Sequence, residues 1–338
     1  MNAAPLLERL LRGEDLTPSD VDLLIAGLVE GSLAPEALSA VLIAWRAKGE
    51  TATEIAAAAA AIRHHARAFP PPGGLFADCC GTGGDGARTY NVSTAVAFVA
   101  AGAGLPIVKH GNRAVSSSSG SADVCRSLGV PTELAPEEGA KLLAASGFVF
   151  LLAPLYHPGT ARAMPVRRAL GVRTVFNILG PLTNPAAPPV QLVGVDDPGR
   201  IRPLAEALAH LGVRHALVVH GGGLDELALH APSRVVRLHE GVIDEGILTP
   251  EEAGLDPHPR EALAGGDPET NARALQAVLA GEGPPAYRDA VLLNTGALLW
   301  TAGLAPDLVS GVATARESLV SGAALRVLAR QRAYARGA

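Results

Sequence analysis

Lysine is nearly absent. Only three of the 28 basic side chains are lysines, at positions 48, 109 and 141. A general preference for arginine accounts for the total, so interest falls on where those three stand. Cysteine is as scarce: Cys79, Cys80 and Cys125 make an odd set, and an adjacent pair lacks metal-ligand spacing. That excludes a disulfide framework and a zinc ribbon, and packing thiols are expected. There is no excess of positive charge either. A formal net charge of −5 supplies no general electrostatic footprint for nucleic acid, although it allows one local cationic pocket. Long apolar runs are missing too: residues 92–108 are interrupted by Ser93, Thr94, glycines and Pro106, whereas a membrane span needs about 20 mostly apolar residues. The opening run MNAAPLLERLLRGED meets acids and arginines before an export core can form, so a cytoplasmic protein without membrane or nucleic-acid partners is expected. Its 338 residues allow roughly two domains.

What is present divides in two. Residues 1–72 read as helices only. Thr17-Pro18-Ser19-Asp20 places an N-cap, an N1 proline and an N3 acid in order, and Thr51 with Glu54 repeats the capping pattern ahead of an alanine run. Pro70-Pro71-Pro72-Gly73-Gly74 then ends the region, because consecutive prolines lack donors. From 73 to 338 short apolar runs alternate with helical patterns. Candidate strands cover 75–80, 105–108, 148–152, 191–195 and 216–219, and helices 94–103, 122–128, 136–146 and 201–211. This rhythm predicts an α/β domain with a mostly parallel sheet covered on both faces. The basic, mixed segment 157–185 has no clear strand and suits a helical return to the N-terminal domain.

Ligands of such sheets sit beyond the carboxyl ends of the strands, so the loops there are the place to look for chemistry. After the first strand comes Gly81-Thr82-Gly83-Gly84-Asp85-Gly86, then Asn91-Val92-Ser93-Thr94 at a helix start. Glycines permit close approach of backbone N–H groups to an anion, and a helix N-terminus adds its dipole. The pattern is neither a Walker A loop nor a Rossmann turn. After the second strand runs Lys109-His110-Gly111-Asn112-Arg113-Ala114-Val115-Ser116-Ser117-Ser118-Ser119-Gly120-Ser121. A connection this long in an α/β unit, with cations at its root, suits wrapping a polyanion better than a flexible linker. Gly223-Leu224-Asp225-Glu226 follows the fifth strand. Alone, the acids read as the first turn of a solvated helix; beside two phosphate-type loops they read as a Mg²⁺ site. Arg167 and Arg168 offer a planar fork for a carboxylate.

Together GTGGD (81–85), NVST (91–94), KHGNRAVSSSSGSADV (109–124), RTVFNILGPLTNP (173–185), GLDE (223–226) and RDAVLLNTGALLWTAG (288–303) resemble the anthranilate phosphoribosyltransferase family. The resemblance implies a small helical domain joined to a nucleoside phosphorylase-like α/β domain, and a homodimer. It implies transfer of phosphoribose from phosphoribosyl pyrophosphate to anthranilate, with Mg²⁺, two ions per monomer. It places the donor on Gly81, Gly84, Asp85, Thr89, Asn91, Val92, Ser93, Thr94, Lys109, His110, Gly111, Asn112, Arg113, Ala114, Val115, Ser116, Ser117 and Ser121. Metal falls to Ser93, Asp225 and Glu226, anthranilate to Gly81, Asn112 and Arg167, and charge stabilisation to Lys109, Asp225 and Glu226. Two departures stand out: Gly159-Thr160-Ala161-Arg162 replaces a common Met-Lys-His run, and Gly222 stands where an acid often precedes GLDE. A pyrimidine nucleoside phosphorylase and a non-enzymatic nucleic-acid-binding relative are the alternatives of the same fold. GTGGD and LGPLTNP speak against the first, the net charge against the second.

Overall fold

The computed structural model describes residues 1–114 and 119–337. Four helices come first: α1 (Ala4–Leu11), α2 (Pro18–Glu30), α3 (Pro35–Lys48) and α4 (Ala52–His64). The capping boxes form as the residues require. Thr17 and Asp20 exchange side-chain and backbone bonds at the start of α2, and Thr51 and Glu54 do so at α4.

The α/β part then follows as β1 (Ala77–Gly81), α5 (Val92–Gly102), β2 (Ile107–Gly111), α6 (Ser121–Ser127), α7 (Pro136–Ser146) and β3 (Phe148–Leu152). Two short helices, α8 (Ala153–Tyr156) and α9 (Ala163–Leu170), make the return excursion. Next come β4 (Val190–Gly194), α10 (Ile201–His210), β5 (His215–Gly221), β6 (Ser233–His239) and β7 (Val242–Leu248). Four helices finish the described chain: α11 (Pro268–Leu279), α12 (Pro285–Thr301), α13 (Leu308–Val320) and α14 (Ala323–Ala335).

Seven strands form one sheet in the order β3-β2-β1-β4-β5-β6-β7. The first five are parallel, while β5, β6 and β7 pair antiparallel. That hairpin and the four final helices go beyond the sequence reading. Side chains alternate between two cores, as a pleated strand demands. Ala77, Cys79, Leu192, Leu217 and Val219 face one core with α5 and α12. Val193, Ala216 and Val218 face the other, shared with α10 and the N-terminal helices. Helix α5 is buried from Val92 through Ala100 apart from Ser93, which explains its apolar composition on every side. The segment 157–185 does return to the helices: Ala163, Val166 and Val175 join the same core as Leu24, Trp45 and Ile55.

Candidate active site

Sequential strands leave β1 in opposite directions, β2 and β3 to one side, β4 and β5 to the other. The crevice between β1 and β4 is therefore the switch point at which open α/β sheets bind ligands. The loops after β1, β4 and β5 meet there, and Ser119 of the loop after β2 bonds to Asn91.

Asp225 reaches across the end of β4 into the glycine-rich turn. Its Oδ2 accepts from the Gly83 amide at 2.7 Å, and Glu226 Oε1 accepts from the Ser93 amide at 3.2 Å. The approach is close enough that a side chain at Gly81 would strike the Asp225 carboxylate, and one at Gly194 its backbone. Glycine is needed here for room, and Gly84, at φ +87, for conformation as well. The two acids occupy a tight turn, not a helix, so the solvated-helix reading of them fails. Burial raises both carboxyls, with Asp85 adding to the effect at Asp225 and Asp225 at Glu226. Crowded, half-buried carboxylates form a hard oxygen donor set, with Lys109 only partly offsetting the charge at Glu226. Among the described residues no group of three or more His, Cys, Asp and Glu makes a self-sufficient cage. The donor set itself fits Mg²⁺, which takes one or two carboxylates and completes its shell from water and phosphate.

Lys109 does not open the loop as its sequence position suggested. It lies inside β2, 1% exposed, with Nζ donating to the Cys79 carbonyl and to Ser93 Oγ at 3.2 Å. Burial pulls its pKa down, but Cys79, Cys80, Asp78 and Glu226 overcome that and raise it, so the ammonium stays charged beneath Ser93. His110 faces the opposite side of the sheet, where burial lowers it to about 3 and Nδ1 lies 3.2 Å from the Gly180 carbonyl. It is a neutral interior group, not a cation at the loop's root. The loop itself begins at Asn112. Asn112, Arg113 and Ala114 are exposed, and Arg113 pairs with Glu133 at 2.5 Å. Val115, Ser116 and Ser117 lie outside the described residues. Ser121 Oγ donates to the Asn112 carbonyl at 3.3 Å, closing the loop at the start of α6.

Asn91 stands at the N-cap of α5, yet its side chain does not cap it. Asn91 Oδ1 accepts from Asn271 Nδ2 at 2.9 Å and from Ser119 Oγ at 3.3 Å, and the Asn91 carbonyl accepts from Tyr287 at 3.2 Å. Thr89 bridges to Ala264 beside this network. Val92 and Thr94 are buried in the first turn of α5, leaving Ser93 half-buried between Lys109 and Glu226.

Arg167 projects from α9, half-buried, with its guanidinium carbon 5.7 Å from the Phe176 ring centre and Nη1 3.6 Å from Met164 Sδ. Burial lowers its pKa. Six residues on, Arg173 pairs with Asp196 at 2.5 Å and donates to the carbonyls of Gly83 and Gly84, at 3.2 and 3.3 Å. Sequence reasoning passed over Arg173, Asp196 and Asn271. An acid directly after a candidate strand was a signal for Asp196; Asn271, 180 residues from Asn91, had none.

Two family models match the chain: "Glycosyl transferase family, helical bundle domain" over residues 4–66, and "Glycosyl transferase family, a/b domain" over residues 73–325. An anthranilate phosphoribosyltransferase of Sorangium cellulosum is 53% identical over 325 residues, 96% of this chain and 93% of that one. The chain belongs to the anthranilate phosphoribosyltransferase family. The crystal structure of an anthranilate phosphoribosyltransferase from Thermus thermophilus is similar over 99% of this chain and 100% of that one, with TM-score 0.93 and 44% identity. The Saccharomyces cerevisiae anthranilate phosphoribosyltransferase, in complex with PRPP and Mg, superposes with TM-score 0.89 at 31% identity, covering 99% of this chain and 98% of that one.

Proposed function

We propose that the chain transfers the phosphoribosyl group of 5-phosphoribosyl 1-pyrophosphate to the amine of anthranilate, giving N-(5-phosphoribosyl)anthranilate and pyrophosphate, a step of tryptophan biosynthesis. The observation that carries this reading is the meeting of the glycine-rich turn, the start of α5 and two crowded carboxylates at the switch point of the sheet. Relatives named for the same reaction support it, as does the yeast relative's complex with PRPP and Mg.

Asp225 and Glu226, with the Ser93 hydroxyl beside them, would hold Mg²⁺, and two ions per monomer is our reading. Bound there, the metal supplies Lewis-acid charge against the pyrophosphate. The chain's own part is positioning and field. The Gly83 and Ser93 amides are held by Asp225 and Glu226, so the Gly84 and Asp85 amides of the glycine-rich turn are the ones that suit phosphate oxygens. The Lys109 ammonium is fixed under Ser93, so it adds positive potential from below and acts through Ser93 instead of gripping the ligand. Asn112, Arg113, Ala114 and Ser121 are the described residues of the next loop that we assign to the donor. Arg167 offers its fork to the anthranilate carboxylate. An aromatic amine is unprotonated at neutral pH, so attack on ribose C1 needs no strong base, and orientation does the remaining work.

The working units we take to be 1–72 with part of 157–185, and 73–338. A homodimer through the helical part completes the reading, supported by exposed Leu11, Leu23 and Ile43 and by a groove of about 840 Å³ whose wall mixes Leu23, Ala26, Ala57 and Ala60 with Ser19, Asp22 and His64. Free thiols at Cys79, Cys80 and Cys125 suit a cytoplasmic location. Fluorescence of anthranilate, followed with phosphoribosyl pyrophosphate and with or without Mg²⁺, tests the reaction. Consumption that requires both is expected; phosphorolysis of thymidine in its place would overturn it.

A further inference from the structure

Arg173 lies in the connection between α9 and the 3₁₀ turn Val175–Asn177, close behind Arg167. Its guanidinium pairs with Asp196 at 2.5 Å while donating to the Gly84 and Gly83 carbonyls at 3.3 and 3.2 Å. Asp196 also accepts from the Thr82 hydroxyl at 3.4 Å. The Arg173 carbonyl in turn accepts from Arg46 of α3. One side chain thus joins the helical part, the return segment, the end of β4 and the glycine-rich turn. A planar fork can hold a carboxylate and two carbonyls together; an ammonium on a flexible stem cannot match that arrangement. The consequence for the turn follows from peptide geometry. In a trans peptide the N–H points opposite to the C=O. Drawing the carbonyls of residues 83 and 84 toward Arg173 therefore turns the amides of Gly84 and Asp85 to the other side. The room that Arg173 needs is kept by glycine, since a Cβ at Gly84 would overlap its Nη1.

We infer that Arg173, braced by Asp196, is a positioning residue that sets the amide face of the glycine-rich turn for the diphosphate of the donor. It thereby couples that turn to the segment bearing Arg167. The inference rests on the reading of residues 81–86 as part of the donor site.

Calorimetric titration of the full-length protein with phosphoribosyl pyrophosphate and Mg²⁺ tests it, together with steady-state kinetics. Arg173→Ala and Asp196→Asn should each weaken donor binding about tenfold and raise the donor KM alike, with kcat at saturation changed by less than about twofold. Added guanidinium should restore Arg173→Ala but not Asp196→Asn, a response that a merely structural defect would not give. Gly83→Ala separates the two layers of the argument. It strains the turn at φ +68 with nothing within 4 Å of its Cβ, so it perturbs the turn itself while the Arg173 guanidinium is retained. Normal donor binding in Arg173→Ala with weakened binding in Gly83→Ala would overturn the role of Arg173 alone. Normal binding in both would overturn the donor-site reading and this inference with it. Should Arg173→Ala fail to fold, Arg173→Lys decides: weakened donor binding supports the inference, and wild-type affinity refutes it.

Discussion

At Asp225 and Glu226, two carboxylates accept from the Gly83 and Ser93 amides, at 2.7 and 3.2 Å, while burial works against their charge. Asp225→Asn combined with Glu226→Gln preserves shape and removes the charge. Turnover should fall about 10²-fold or more, with partial recovery at high Mg²⁺. A Mg²⁺ dependence identical to wild type would refute the metal role. Arg167 differs because it would hold a remote carboxylate and not the reacting atoms. Arg167→Ala should raise the anthranilate KM by about tenfold with a smaller change in kcat, and kinetics that altered only the donor KM would reject the assignment. Much of this was legible in residue order, since carboxylates and glycines at strand ends announce themselves. The direction of a side chain was not. Lys109 and His110 are adjacent in β2 and so face opposite sides of the sheet, one under Ser93 and the other toward Gly180.

At the scale of the element, capping chemistry is the most local signal in the chain and the most faithfully expressed. Thr51 and Glu54 start α4 as read, but Glu54 does more than cap. Fully buried, it accepts from the Leu16 amide at 2.8 Å and from Lys48 at 2.9 Å, tying α4 to α3 and to the connection before α2. Here the scarcity of lysine takes on meaning: Lys48 and Lys109 are interior cations, and only Lys141 is a surface one. Losing the cap by Thr51→Ala should cost about 1 kcal/mol. Glu54→Ala also leaves the Leu16 amide without its acceptor and takes one of two carboxylates from Lys48, Asp15 remaining at 2.6 Å, and should cost about 2–3 kcal/mol. Urea denaturation of both variants measures the difference, and equal losses would show that the ion pair contributes nothing. The β6–β7 hairpin shows where local reading stops. Strand β7 is largely exposed, so its residues lack the apolar run by which the buried parallel strands were recognised.

For the whole molecule, the largely apolar contact between the helical part and the sheet contains a buried polar seam. His110 and His157 meet edge to face with ring centres 5.1 Å apart. Arg63 and Asp78 add their fields to the seam, Arg63 lowering both histidines. Burial holds His110 down to about 3 and His157 to about 4, both from 6.5. As pH falls below 6.5 the unfolded chain gains protons there that the folded chain refuses, so each histidine removes stability. Asp78 acts in the opposite sense. Burial raises it from 3.8 to about 6, so the folded chain takes its proton first and gains stability as pH falls through that interval. The raised carboxyls of Asp225 and Glu226 act in the same sense as Asp78, so the part played by the histidines is read from a variant against wild type and not from the net slope. His157→Gln removes one group that costs stability in acid, so its melting temperature relative to wild type should climb as pH falls from about 6.5 to about 4.5; a difference independent of pH would refute that role of His157. The proposed dimer gives a second test at this scale. Leu23 is 54% exposed beside the α2–α4 groove, and Leu23→Glu should convert a dimer to a monomer in light scattering, whereas a wild-type monomer would dismiss that interface.

Sequence by itself determined the features that depend on neighbours in the chain: the helix starts, the break at Pro70–Pro72, the five buried strands, and the loops rich in glycine, serine and acid that follow them. Tertiary structure decided which of those loops meet. The order β2-β1-β4-β5 brings residue 225 to residue 83, and the return segment brings Arg173 to the same turn. No periodicity records such encounters, because they arise from the packing of a twisted sheet against segments that lie about ninety residues or more away in the chain.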